Sequence, residues 1–322
     1  MERDDVRLLY SRSFPFVSHV VAALLKKRFR LPWIAHFGDP FARNPLLSYR
    51  RRFMGYAAVQ FEGYIIRHAD AIVFVSEKTK EMYEKNYPQH LWKKFFVIPH
   101  CFEQDLFSGG ETRKTERFVI THTGQFYSSR SPKSFLKAMQ KVVRENPEIR
   151  GKITIQFVGG PENIFPFLRN IGLDDVVTVT LDDVVTVTRT VPYRDSLDSM
   201  KSSDVLLLID SGVENGGVFL PSKLIDYLAT GKPILGITPK EGESATVIQR
   251  LNGIVVDPGD VDGIAAAVYS LYEKYRTGRL AEHFYAKEDT EQYEASTIAK
   301  TYAKLFDEIV KRKQSGEPDS VV

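Results

Sequence analysis

The stretch Pro221-Ser222-Lys223-Leu224-Ile225-Asp226-Tyr227-Leu228-Ala229-Thr230-Gly231-Lys232-Pro233-Ile234-Leu235 constrains the fold of this 322-residue chain more than any other. Proline suits the first turn of a helix, where its missing N–H would have had no partner, and Gly231 followed by Pro233 stops the helix before the apolar run Ile234 to Ile237. Leu224, Leu228 and Ala229 supply a buried face. An amphipathic helix that runs directly into a buried strand is a repeating unit of a parallel α/β sheet. Its N-terminus then opens at the C-terminal edge of the sheet, where free N–H groups and the helix dipole favour a phosphate. Lys223 stands on the first turn, where that dipole repels a cation, so an anion is expected nearby. Pairing with Glu214, or an i to i+3 pair with Asp226, would offset the same repulsion.

The rest of the chain continues this rhythm. Segments Arg7 to Tyr10, Val17 to Phe29, Trp33 to Phe37, Leu47 to His68, Ala71 to Ser76, Glu77 to Tyr87 and Phe95 to Pro99 alternate between strand and helix. Charges and Ser108-Gly109-Gly110 mark 103–117 as a linker. A second series runs through Phe118 to Thr123, a helix from Pro132 to Asn146, Ile153 to Val158, a helix from Asp195 to Ser202, Val205 to Ile209, the Pro221 helix and Ile234 to Ile237, with a closing helix near 291–312. The sequence Leu-Asp-Asp-Val-Val-Thr-Val-Thr occurs twice in succession within 173–188 and reads as a lengthened hairpin or loop, with Asp174-Asp175 and Asp182-Asp183 at solvated turns.

Composition removes several function classes. Forty-four Lys and Arg against 41 Asp and Glu leave a net charge of +3, too small to argue for nucleic acid. The single cysteine, Cys101, excludes an internal disulfide, no Cys/His cluster points to a metal, and no cofactor is implied. No apolar run reaches the roughly 18 residues that span a bilayer, and no signal peptide opens the chain, so a cytoplasmic location is expected.

The second series opens with Thr121-His122-Thr123-Gly124-Gln125-Phe126-Tyr127-Ser128-Ser129-Arg130-Ser131-Pro132-Lys133, a strand, loop and helix suited to phosphate. Gly124 permits close backbone approach, and the planar fork of Arg130 fits a diphosphate, with Lys133 or Lys223 in support. A capping or ion-pairing role explains Arg130 equally simply. Gly159 and Gly160 end another strand and leave room for a base or ribose, although a plain turn would also use them.

These motifs resemble the retaining glycosyltransferases of family four. The resemblance rests on the Pro221 to Leu235 run, on Phe14-Pro15-Phe16, on Pro32-Trp33-Ile34-Ala35-His36-Phe37-Gly38-Asp39-Pro40 and on the closing helix. It implies an α/β fold with two facing Rossmann-like domains (GT-B), an acceptor-side domain at 1–102, a donor-binding domain at 118–287, and a helix and polar tail at 288–322 that pack back on the first domain. Residues 1–102 are short beside the roughly 150 expected of one such half, so the N-terminal domain is expected to be incomplete. A sheet lacking its first strands would expose an open edge and an apolar face.

By this resemblance Asp226 holds the ribose hydroxyls of a nucleoside diphosphate sugar, as the second acid of a Glu, seven residues, Glu motif. The first acid would fall on Val218, so Glu214 in the same loop becomes the candidate, with Asp39 at the reacting sugar. Donor contacts fall on Gly124, Gln125 (where relatives carry a basic residue), Arg130, Gly159, Gly160, Val191 beside the base, Pro221, Ser222, Lys223 and Asp226. His36 and His100 read as structural. The implied reaction is transfer of a hexose to a glycan or lipid-linked acceptor in surface polysaccharide or cell-envelope synthesis. The alternatives are a silent homologue that binds nucleotide or a partner chain, and a sugar-nucleotide epimerase. Lys26-Lys27-Arg28-Phe29-Arg30 and Tyr49-Arg50-Arg51-Arg52-Phe53-Met54 could make weak contact with the inner face of a membrane, or form a solvated face.

Overall fold

The computed structural model describes residues 6–46, 52–108, 116–126, 130–159, 184–210 and 216–315. Glu214, Gly160, Tyr49, Arg50, Arg51 and most of the tandem repeat lie outside the described residues. The chain divides into two compact units: Met1–His100 with Val218–Leu220 and Ala295–Val322, and Cys101–Gly217 with Pro221–Glu294.

In the first unit, strands β1 (Leu9–Ser13), β2 (Trp33–Phe37), β3 (Ala71–Phe74) and β4 (Phe95–Val97) form a parallel sheet in that order. Helices α1 (Val17–Phe29), α2 (Arg52–His68) and α3 (Glu77–Glu84) connect them. β2 and β3 are buried along their whole length, as strands covered on both faces must be. Alternation sends Trp33, Ala35, Phe37, Ile72 and Phe74 into one cluster with Ile65 and Ile66 of α2. The opposite set, Ile34, Ala71 and Val73, packs against Ile298, Leu305 and Ile309 of the closing helix Ala295–Gln314. Ser76 caps α3 by accepting from the Thr79 N–H at 3.1 Å, and both hydroxyls donate to the Val218 carbonyl.

The second unit begins with a helical turn, α4 (Gln104–Phe107). Phe107 is buried there, and the Phe102 N–H donates to Tyr293 O at 3.0 Å. The start of the expected linker is thus packed, held by apolar side chains that its charged neighbours obscure. Strands β5 (Phe118–Thr123), β6 (Ile153–Val158), β7 (Val185–Thr188), β8 (Val205–Ile209), β9 (Ile234–Ile237) and β10 (Ile254–Val256) form a parallel sheet in the order β10-β9-β8-β5-β6-β7. Helices α5 (Lys133–Glu145), α6 (Tyr193–Ser202), α7 (Ser222–Ala229), α8 (Glu243–Arg250) and α9 (Val261–Arg276) follow in chain order, with the closing helix as α10. Helix α5 buries Phe135, Leu136, Met139, Val142 and Val143, each worth about 1.5–3 kcal/mol when removed from water. The order matters for function: β5 lies between β6 and β8, so the loops after all three open side by side.

Candidate active site: a cationic pocket at the sheet edge of the second unit

Three strand ends and one helix start build the site. β5 delivers His122, Thr123 and Gly124, β6 delivers Gly159, β8 delivers Asp210, and α7 begins at Ser222. Tyr227 fastens α7 to the sheet: its hydroxyl accepts from the Thr123 N–H at 3.0 Å and reaches Leu207 O at 3.3 Å. No side chain caps the N-terminus of α7, whose N-cap is Pro221, so the dipole there faces outward uncompensated by a side-chain acceptor.

Gly124 is required twice. Its φ of +90° suits only glycine comfortably, and a Cβ would stand 2.9 Å from Lys223 Nζ. Gly159, at φ +96°, lies against Gly124, whose N–H donates to Val158 O at 2.7 Å.

Lys223 does not pair with Asp226. Its ammonium turns to His122 Nε2 at 3.3 Å, while Asp226 accepts from the Tyr193 hydroxyl at 2.8 Å. His122 Nδ1 donates to Leu207 O at 2.9 Å, which leaves Nε2 as the acceptor of a neutral ring. Burial, and then the Lys223 charge, hold His122 well below the usual histidine range, and Phe126 stacks on the ring at 4.6 Å. Arg130 is buried, and its Nε donates to Asp210 Oδ1 at 3.0 Å; Ser244 donates to the other carboxylate oxygen at 3.1 Å. Loss of solvation, and then the Arg130 charge, push Lys223 down to about 8, with Asp210 opposing.

Among the described residues, Arg130 pairs with Asp210, and the Asp210 charge also acts on Lys223 at the start of α7. An anion placed among Gly124, Lys223 and the start of α7 would meet the Lys223 ammonium and the helix dipole together. Burial raises the Asp226 carboxyl above its ordinary value, and the Tyr193 bond opposes that shift.

Of the expected donor contacts, Gly124, Arg130, Gly159, Pro221, Ser222 and Lys223 converge here, and Gln125 lies exposed after Gly124. Asp226 is on the same helix, with Val191 just before α6. Asp39 belongs to the first unit, exposed past the end of β2, where Gly38 is needed because a Cβ would meet Ser13 O at 2.9 Å. His36 is buried, with Nδ1 against the hydroxyls of Tyr10 and Tyr302 at 2.5 and 3.1 Å. Asp210, Ser244 and Tyr227 were not anticipated as site residues. Only Asp210 left a signal, an acid directly after the apolar run Val205 to Ile209.

Residues 117–274 match the family of glycosyl transferases group 1. The matched residues include every side chain of the cationic cluster. HepE from Anabaena, solved with UDP-glucose, superposes with a TM-score of 0.70 at 14% identity over 94% of this chain and 79% of its own. Sucrose-phosphate synthase from Thermosynechococcus elongatus gives 0.68 at 16% identity over 95% and 74%. An α,α-trehalose 6-phosphate synthase from Burkholderia multivorans gives 0.70 at 12% identity over 97% and 72%. At such identities these likenesses concern the fold, which is the α/β fold of GT-B glycosyltransferases with Rossmann-like units. No curated protein matches the sequence.

Proposed function

We propose that this chain is a retaining hexosyltransferase of the family-four type, which moves a sugar from a nucleoside diphosphate sugar to a glycan or lipid-linked acceptor in surface polysaccharide or cell-envelope synthesis. The observation that carries the reading is the buried Lys223 ammonium beside Gly124 at the start of α7, which no side chain caps, with Arg130 near enough to depress it. In this reading those cations and the helix dipole take the charge of the departing diphosphate, which is the largest electrostatic demand of the reaction. Gly124 and Gly159 leave space for the pyrophosphate and ribose. Asp226 accepts a ribose hydroxyl and the backbone at Val191 meets the base, while Asp39 and Glu214 are the catalytic candidates that the sequence offers.

HepE was solved with UDP-glucose and with UDP, so uridine donors are the first to try. The test is transfer from UDP-glucose to glycan and lipid-linked acceptors, with the anomeric configuration of the product read by NMR. An α-linked product supports the reading, and inversion refutes the retaining assignment. The rival, a silent nucleotide-binding homologue, is favoured by Val218, which stands where the first acid of the motif would be and offers Ser76 and Thr79 only a backbone carbonyl. Binding of a nucleoside diphosphate without transfer of any sugar would select it.

A further inference from the structure

Helix α7 carries a cation and an acid three positions apart, Lys223 and Asp226. That spacing puts both on one helical face, where opposite charges ordinarily pair. The chain makes such a pair elsewhere: Lys78 and Glu81 of α3, at the same spacing and in the same order, meet at 3.4 Å. On α7 each charge is held by another element instead. The Lys223 ammonium reaches His122 Nε2 of β5 at 3.3 Å, and Asp226 Oδ1 accepts from the hydroxyl of Tyr193, the first residue of α6, at 2.8 Å.

The two anchors are unequal. His122 is buried with its Nδ1 bonded to Leu207 O, so it offers Lys223 only the lone pair of a neutral ring. A carboxylate three residues along the helix would offer a full charge and a stronger bond. Separation of the two charges therefore depends on the bond to Asp226. Tyr193 suits that task. Burial, then the bond to Asp226 and its charge, with Glu103 facing the same ring, raise the hydroxyl above the ordinary tyrosine value, so it stays protonated and donating through the neutral range.

We propose that Tyr193 is a positioning residue for the diphosphate pocket: by holding the Asp226 carboxylate it keeps that charge off Lys223, so that the start of α7 presents its ammonium to the ligand rather than to its own helix. A Lys223–Asp226 pair would have to open before a diphosphate could bind, and the competent fraction of the pocket would fall accordingly. The inference deepens the proposed donor site and rests on that reading for the identity of the ligand alone.

The first test needs no ligand. NMR of the lysine Cε groups of the full chain, with the Lys223 signal identified by its loss in Lys223→Ala, follows the titration of that ammonium. Tyr193→Phe should raise the midpoint from about 8 to about 8.7, the effect of a pair that favours the charged form about five-fold, and adding Asp226→Asn should bring it back. Arg130 and Asp210, the other charges acting on Lys223, are the same in each form, and His122 is held neutral. Inorganic pyrophosphate, which has no ribose for Asp226, reads the consequence by calorimetry at pH 7. Tyr193→Phe should bind it about five-fold more weakly, and Asp226→Asn should raise affinity about five-fold in the Tyr193→Phe background and less than about two-fold without it. A midpoint that Tyr193→Phe leaves unmoved overturns the inference, because the released carboxylate then does not seek Lys223. So does a raised midpoint that survives Asp226→Asn, which assigns the change to repacking. The midpoints decide the role of Tyr193 by themselves, whereas a folded chain that binds neither UDP nor pyrophosphate removes the transferase reading alone.

Discussion

Lys223 gives the pocket a proton signature that can be worked out in advance. Its ammonium titrates at about 8, because solvation is lost and Arg130 lies near. A diphosphate at the same nitrogen would return it toward the ordinary lysine value of about 10.4. The bound state then holds more protons than the free state, so affinity falls as pH rises through 8. Uptake on binding should be about 0.1 proton at pH 7, about 0.5 at pH 8 and about 0.9 at pH 9, and affinity should drop about ten-fold, or 1.4 kcal/mol, between pH 7 and 9. The last phosphate ionisation of the nucleotide, near 6, lies below this window. Calorimetric titration of UDP in two buffers of different ionisation enthalpy reads the uptake directly. Lys223→Ala should abolish the uptake and weaken binding at pH 7 by about 1.5–3 kcal/mol, the loss of a charge-assisted hydrogen bond. Binding without proton uptake at pH 8, or uptake that survives Lys223→Ala, would refute the reasoning.

Three further outcomes follow from the same geometry. Gly124→Ala should destabilise the fold by about 1–2 kcal/mol and weaken UDP binding, because its Cβ displaces the Lys223 ammonium; Gly278→Ala, at φ +72° with open space around it, should show the backbone strain without the binding defect, both read by urea denaturation and calorimetry. Asp210→Asn leaves the buried Arg130 guanidinium without its carboxylate and should cost about 3–5 kcal/mol of stability in urea titration. Burial holds His19 and His100 at about 4, and burial followed by Arg12, His100 and His19 holds His36 at about 3. The unfolded chain therefore binds more protons below pH 6.5, and stability should fall with pH across 6.5 to 4, by up to about 2 kcal/mol per histidine at pH 5. His36→Phe, which removes one of the three, should make the fall shallower in denaturant titrations at each pH.

Much of the fold was legible because its strands are either continuously apolar or strictly alternating. Trp33–Phe37, Phe118–Thr123, Ile153–Val158, Val205–Ile209 and Ile234–Ile237 begin and end where the sequence pattern places them, as does helix Val17–Phe29. The run of α8, β10 and α9 between Glu243 and Arg276 was passed over, since β10 is only three residues long. Helix α6 begins at Tyr193, two residues before Asp195, because Pro192 already supplies its entry. Sheet order was not legible either: pairing of β5 with β8 joins segments more than 80 positions apart, and no local signal encodes it.

The site divides along the same line. Gly124, Arg130 and Lys223 are singular residues at strand and helix ends, so their positions carried meaning before any geometry was known. Their partners were hidden for a physical reason. Spacing on one helix suggested Lys223 with Asp226, yet the longer-range contacts with His122 and Tyr193 determine both side chains. Arg130 and Asp210 are 80 positions apart and meet only because β5 and β8 are neighbours.

The central claim is that the pocket among Gly124, Arg130, Lys223 and the start of α7 holds a nucleoside diphosphate. A calorimetric panel of UDP, GDP and ADP against the folded chain tests it most directly. The account predicts micromolar binding of one base, about −8 kcal/mol, that Lys223→Ala weakens. A folded sample that binds none of the three, or binds one with unchanged affinity after Lys223→Ala, would contradict it.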